Sequence, residues 1–216
     1  MTKLQLLNPN FYNLGSPFCE NNGLLEFEPG YRDPEFLADW SFQASLYGEK
    51  VLVDHFLTSF PDLGKLKNYT EALCDLGGQI VEGPGLFPLE FCGENYRINA
   101  DLWIYLTTVL MPSGGLVVMD TPHTYGDQKS RFLEERGIAA VHHVAIRVED
   151  ISTAACLWRR RGFEPMSEYP FQGDSLCQWF LQNSAGQIIE LINRLPNNNA
   201  TFECQNIGGL RLSEVA

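Results

Sequence analysis

The chain has 216 residues, of which 44% are hydrophobic and 19% are charged, and its formal net charge is -12. This composition indicates a folded globular protein, because a disordered chain holds fewer apolar residues for its charge. The negative charge argues against binding to nucleic acid, anionic membranes or a phosphate-rich cofactor, since all of these are negative themselves.

The expected location is the cytoplasm. No apolar run approaches the roughly 20 residues that span a bilayer, and the start of the chain lacks the pattern of a signal peptide. In that compartment the six scattered cysteines, with no pair at C-x-x-C spacing, are expected to be reduced thiols.

Residues 1–50 lie outside any repeated pattern and predict an N-terminal extension. The extension is expected to pack on the core through its aromatic side chains, namely Phe11, Tyr12, Phe27, Tyr31, Phe36 and Trp40.

Two later stretches repeat each other. "HFLTSFPDL" begins at His55 and "HVAIRVEDI" begins at His143, and in both an Asp follows the His by seven positions. Each His opens an alternating apolar stretch, which is typical of a strand. Each Asp, at 62 and 150, is placed to cap the start of the helix that follows.

Both copies continue in the same way. A helical pattern ends at Gly77 in the first and Gly162 in the second, and each copy closes on a small-residue turn followed by an apolar strand. The unit is therefore a strand, a helix and further strands, over 51–121 and again over 139–194. The first copy has extra length over 84–101, a candidate pocket loop. The tail over 195–216 is polar where it starts and is expected to be peripheral.

A β-α-β-β-β unit that occurs twice, with His opening each copy and Glu closing the second, resembles the vicinal oxygen chelate superfamily of glyoxalases, methylmalonyl-CoA epimerases and extradiol dioxygenases. The resemblance covers 51–194. It is most specific in "SRFLEERGIAAVHHVAIRVEDI", which is similar to the join between the two modules of methylmalonyl-CoA epimerases. It implies a single α+β domain in which two paired modules form a cup-shaped mixed sheet.

The resemblance also implies a metal site. Carried over by position, its ligands are His55, His143 and Glu190. Two imidazoles and a carboxylate suit a divalent Fe, Zn, Co, Ni or Mn ion and leave positions open for substrate oxygens. His142 is the neighbour of a ligand on a strand, so we expect it to face the opposite side.

The sequence departs from the family at the end of the first module, where a fourth ligand is often found. Alignment without gaps places Met119 opposite Glu190, and alignment anchored on Pro122 places Val118 there. Neither side chain binds a hard metal. Asp120 would normally point away, unless a β-bulge redirects it. We therefore expect three protein ligands.

The function that this resemblance favours is an epimerase or isomerase, in which a metal stabilises an enediolate and carboxylates move a proton. Glu190 is one such carboxylate, and Glu90 or Glu94 is the candidate for the second. A non-haem Fe(II) dioxygenase is the alternative, for which His123 and Tyr125 offer thin support.

A metal-free binding or resistance protein of the same fold is a second alternative. The partner in each case is a small molecule, and the acidic charge favours a small acid, sugar or cyclitol over a CoA thioester. The fold often dimerises, yet two complete modules allow one chain to form its own cup, so a homodimer stays open.

Overall fold

The computed structural model describes residues 16–30, 32–194 and 202–214. The described residues form twelve strands and five α-helices. The strands are β1 (Phe18–Asn21), β2 (Leu24–Phe27), β3 (Gln43–Leu46), β4 (Glu49–Ser59), β5 (Gln79–Phe87), β6 (Ile104–Leu110), β7 (Leu116–Pro122), β8 (Val141–Arg147), β9 (Phe163–Pro165), β10 (Phe171–Gln172), β11 (Leu176–Asn183) and β12 (Ile188–Arg194). The helices are α1 (Pro34–Asp39), α2 (Leu63–Asp75), α3 (Gln128–Arg136), α4 (Ile151–Arg160) and α5 (Cys204–Ser213). No helix in these three ranges is long and apolar enough to cross a membrane.

One large mixed sheet organises the molecule. Its strands follow the order β10-β11-β12-β8-β4-β7-β6-β5, with β3 added to β4 and β9 added to β11. The first strands of the two modules, β4 and β8, pair antiparallel in the middle. Each also pairs in parallel with the last strand of its own module, β7 or β12. The predicted architecture of two paired β-α-β-β-β modules in an α+β chain is confirmed.

The helix that follows the first strand of each module begins and ends where the sequence predicts. The side chains of Asp62 and Asp150 each accept a hydrogen bond from the backbone N–H three residues later, which caps α2 and α4. Both helices stop just before a glycine with a positive φ, 94° at Gly77 and 86° at Gly162. A residue with a side chain adopts that conformation only at a cost, so these glycines end the helices.

The central strands divide their side chains between two faces, because neighbours on a strand point in opposite directions. The larger core lies on the face that α2 and α4 cover, and its strand members include Phe56, Met119, Val144 and Leu191. The other face carries the residues between them, which line a cavity under α5.

The N-terminal extension joins the larger core. Phe27 and Trp40 are buried there, and Phe36 packs against it, as predicted. Phe11, Tyr12 and Tyr31 lie outside the described residues.

The expectation of a peripheral C-terminal tail is wrong for residues 202–214. They form α5 and the turn before it, which cover the cavity face of the sheet with Ile207, Leu210 and the buried Arg211. The strands alone would leave that apolar face open to water, and burying it stabilises the helix there. The apolar residues of α5 are interrupted by glycines, so its sequence pattern does not predict an amphipathic helix.

The expectation of six reduced thiols is also wrong. Cys92, in the loop after β5, forms a disulfide with Cys204 at the start of α5, at a sequence separation of 112. The bond fastens the C-terminal helix to the first module.

Removal of this disulfide should destabilise the protein. The bond closes a long loop and so restricts the unfolded chain, and we expect Cys204→Ser to lower the free energy of unfolding by about 2–4 kcal/mol. Urea denaturation without reductant measures the loss, with Cys156→Ser as control, because Cys156 is exposed and unpaired. Equal stability of the two variants would contradict the prediction.

Candidate metal centre

Three buried side chains converge at the centre of the sheet, from β4, β8 and β12. Oε2 of Glu190 lies 3.1 Å from Nε2 of His55 and 3.6 Å from Nε2 of His143, and the two Nε2 atoms are 3.3 Å apart. Ligands held about 2.1 Å from one ion lie about 3.0–3.4 Å from each other. The described residues include this one cluster of three His, Cys, Asp or Glu side chains that could hold a metal.

The other nitrogen of each histidine ring is already engaged. Nδ1 of His55 is 3.1 Å from Oδ1 of Asp54, and Nδ1 of His143 is 3.1 Å from Nδ1 of His142. Such partners fix the orientation and tautomer of a histidine that binds metal. Both rings are therefore held with Nε2 directed towards the shared point, which fits a metal site.

Asp54 reaches His55, its neighbour in the chain, because the strand is irregular there. The pairing of β4 with β8 shifts between Val53 and His55, so Asp54 has no partner in the ladder. Its buried carboxylate also accepts hydrogen bonds from Arg147 and Arg194. Burial raises the pKa of Asp54, but the hydrogen bonds from His55 and Arg194 lower it by more, so the carboxylate stays charged.

His142 does not face the opposite side of the strand, and that expectation is wrong. β4 pairs with β8 at His143 and next at Val141, so a second irregularity leaves His142 out of the ladder. Its ring turns to the cavity side, where Nε2 lies 2.9 Å from Oε1 of Glu214, just after α5. Both of its nitrogens are therefore engaged within the protein.

The two candidate ligand histidines differ in their affinity for protons. Burial lowers the pKa of His143 well below its ordinary value, and the neighbouring His142 and His55 lower it further. Burial also lowers the pKa of His55, but Glu190 and Asp54 raise it by more, so its net shift is upward. A metal at this site would compete with protons for both rings, because only the neutral ring is a ligand.

Strand register identifies the position in the first module that is equivalent to Glu190. Glu190 lies two residues after the partner of His143 on β12, and Val118 lies two residues after the partner of His55 on β7. Val118 lines the cavity, whereas Met119 is in the core on the other face. The alignment that placed Met119 opposite Glu190 is therefore wrong, and an apolar residue stands at the fourth position.

Asp120 does not reach the cavity. Its side chain is fully buried on the same face of β7 as Val118, two residues further along the strand, and lies 2.9 Å from Nζ of Lys129, which α3 contributes. The register of β7 with β6 is regular, and Asp120 pairs with Leu106, which lines the cavity. The expectation that Asp120 points to the opposite face is therefore wrong, but its carboxylate is paired with Lys129 and is not part of the three-residue cluster.

Glu90 and Glu94 are exposed on the loop after β5 and do not line the cavity. Oε1 of Glu90 accepts a hydrogen bond from the backbone of Leu86. The apolar side chains of this loop, such as Phe91 and Tyr96, take the inward positions. The carboxylates are left in solvent, where they are well hydrated.

The other side chains considered for a dioxygenase also lie elsewhere. Tyr125 is 93% exposed, and the ring of His123 packs beside Trp103 and Tyr105. Neither lines the cavity.

The cavity over the three converging side chains is small, with a volume of about 50 Å³. Its apolar wall comes from the strands and from the C-terminal segment, through Leu57, Leu106, Val118, Phe180, Phe202 and Leu210. Polar groups reach it from Gln178, Asn206 and Arg211 as well. Sequence reasoning missed all three, although a lone Arg in "IGGLRL" is the kind of signal that could have revealed a buried charge.

No protein-family model matches the sequence, and no curated protein matches it significantly. Among solved structures, the chain is similar to a mutant of 4-hydroxymandelate synthase from Streptomyces coelicolor. The TM-score is 0.53 at 17% identity, over 76% of this chain and 54% of that one. Methylmalonyl-CoA epimerase from Mycobacterium tuberculosis aligns with a TM-score of 0.47 at 21% identity, over 68% of this chain and 90% of that one.

The metal site can be tested directly. We expect the purified or reconstituted chain to hold about one divalent ion, and His143→Ala to hold none, because two ligands do not retain an ion in water. Elemental mass spectrometry measures the content. His123→Ala is the matched control, since this histidine lies outside the cavity, and its metal content should equal that of the wild type. Equal metal in the His143→Ala variant would disprove the assignment.

A further substitution tests the place of Asp120. Asp120→Asn leaves the Lys129 ammonium buried without its counter-ion, so the free energy of unfolding should fall by about 3–5 kcal/mol. The metal content should not change. Loss of the ion from a variant that is still folded, checked by circular dichroism, would make Asp120 a ligand.

Proposed function

Because the chain has the fold of the vicinal oxygen chelate superfamily, we propose that it is a metal-dependent enzyme that acts on a small oxygen-rich molecule. One observation carries the proposal. Nε2 of His55, Nε2 of His143 and Oε2 of Glu190 meet at ligand spacing inside a largely apolar cavity, with each ring held from behind.

The donor set suits Fe, Zn, Co, Ni or Mn in the divalent state. When bound, such an ion supplies a Lewis acid that polarises a carbonyl and stabilises the negative charge beside it. Three protein ligands leave positions for two neighbouring oxygens of a substrate, and Val118 does not compete for them.

Glu190 is the proposed base. Its Oε2 faces the two histidines, while Oε1 is buried and has no hydrogen-bond partner. Oε1 can therefore accept a proton from a carbon next to the substrate carbonyl and return it.

The surroundings of Glu190 favour an isomerase with a single base. His142 has both nitrogens engaged, and Glu90 and Glu94 lie outside the cavity. One base is enough to move a proton between neighbouring carbons of a substrate. Inversion at a single carbon, as in an epimerase, needs a proton donor on the opposite face as well. We therefore place isomerisation before epimerisation.

A non-haem Fe(II) dioxygenase is the second candidate, and a specific observation favours it. Two histidines and one carboxylate are the ligand set of non-haem Fe(II) oxygenases, which leaves several coordination positions of the metal open. Val118, at the fourth position, keeps that set at three protein ligands. A metal-free binding protein is the third candidate, but it gives no role to the free Oε1 of Glu190.

The partner proposed in each case is a small molecule. Cytoplasmic location and homodimerisation stay predictions. The disulfide between Cys92 and Cys204 weighs against the cytoplasm, because disulfides are rare there.

Exchange of carbon-bound hydrogen tests the proposed chemistry. The chain loaded with Zn, Co, Ni or Mn should exchange the carbon-bound protons of hydroxyacetone in D₂O, as followed by NMR. Glu190→Gln keeps an oxygen ligand but loses the base, so exchange should fall by about 100-fold or more.

Glu94→Gln is the matched control and should retain the wild-type rate, since Glu94 is exposed. Oxygen consumption by the Fe(II) form, without proton exchange in any metal form, would replace the isomerase with the dioxygenase. Absence of metal binding would leave only the binding protein.

A further inference from the structure

Arg211 places a guanidinium group in the wall of the cavity. Its side chain is 2% exposed, which is rare for arginine unless the charge is paired. Nε donates to the backbone carbonyl of Leu102, and Nη1 pairs with Glu214. Nη2 is buried and has no hydrogen-bond partner. One edge of the guanidinium is thus held by the protein, and the other is left unpaired.

A second polar group of α5 is also unpaired. Asn206 lines the same cavity, is 3% exposed, and its Oδ1 accepts no hydrogen bond. Its backbone carbonyl is occupied, since Nε2 of Gln178 donates to it. Buried polar atoms without partners cost stability. Two of them on one helix, in one cavity, indicate that a ligand supplies what is missing.

The missing partners have a definite chemistry. A guanidinium N–H in an apolar, water-poor cavity binds an anionic oxygen most strongly, and a carboxylate is the anion that arginine matches in size and shape. A phosphate is bound best by several donors, whereas Nη2 of Arg211 is the one unpaired side-chain donor among the described residues that line this cavity. The free oxygen of Asn206 would accept from a hydroxyl group.

We propose that Arg211 binds a carboxylate of the substrate, at the α5 wall of the cavity, while the substrate's neighbouring oxygens occupy the metal site formed by His55, His143 and Glu190. The substrate is then a small acid with a hydroxyl or carbonyl group near one end and a carboxylate at the other. This inference rests on the proposed function, and it makes the C-terminal helix part of the binding site.

Two acids with the same carbon chain test the assignment. Malate and 2-hydroxybutyrate share a chelating 2-hydroxy acid, but malate ends in a carboxylate where 2-hydroxybutyrate ends in a methyl group. We expect malate to bind the cobalt-loaded protein roughly 10- to 100-fold more tightly, as for a charged hydrogen bond. Calorimetry measures both dissociation constants, and the visible spectrum of cobalt shows whether each acid reaches the metal.

Arg211→Gln should abolish the preference for malate and leave the binding of 2-hydroxybutyrate and cobalt unchanged. Gln128→Ala is the control, because Nε2 of Gln128 donates to the same Glu214 from outside this cavity. It loosens the helix contact without touching the free guanidinium edge, so the preference should persist. If Arg211 had a purely structural role, its replacement would weaken the binding of malate and of 2-hydroxybutyrate equally.

The outcomes separate the two proposals. A chain that binds no cobalt overturns the proposed function and this inference with it. Cobalt binding with equal affinity for both acids, with affinity for neither, or with a preference that survives Arg211→Gln overturns the inference alone. If Arg211→Gln does not fold, Arg211→Lys retains a positive charge beside Glu214 and should reduce the preference. An unchanged preference in that variant would equally overturn the assignment.

Discussion

The antiparallel pairing of β4 with β8 is the contact on which the rest of the structure depends. It joins the two modules into one sheet and brings His55 and His143 to within hydrogen-bond distance of each other. The ladder is irregular at two points, and each irregularity turns an extra side chain, Asp54 or His142, towards a ligand histidine. A regular ladder would send both to the opposite face. The bulges therefore orient the two ligand histidines as well as bending the strands that carry them.

Charge is buried around this contact only in compensated form. Asp54 is held by two arginines, and Asp120 is paired with Lys129. Taking such groups out of water is costly, and their pairing offsets the cost only while both partners are present. Glu190 and Arg211 are among the residues that keep a buried polar atom without a hydrogen-bond partner. Both atoms belong to residues that line one cavity. A metal and an anionic substrate bound there would give these atoms the partners that they lack.

The C-terminal segment changes what the cup can do. Without α5 the cavity face would be open, as a broad concave surface suited to large ligands. With α5 fastened by the Cys92–Cys204 disulfide, the space that remains is small. Five of the residues that line it come from this segment, namely Phe202, Asn206, Ile207, Leu210 and Arg211. The same helix thus excludes water from the metal ligands and offers polar atoms for recognition, which suits a small acid better than a bulky thioester.

The sequence by itself determined the repeat, the caps and stops of the two module helices, and the ligand candidates, because strand alternation, Asp caps and terminal glycines are local signals. Only the tertiary structure decided that Val118 is equivalent to Glu190, that His142 faces the cavity, and that Glu90 and Glu94 do not. Register, bulges and the covering helix are set by contacts between residues far apart in the chain. A local pattern carries no information about such contacts, since the packing energy that selects them arises only when the distant segments meet.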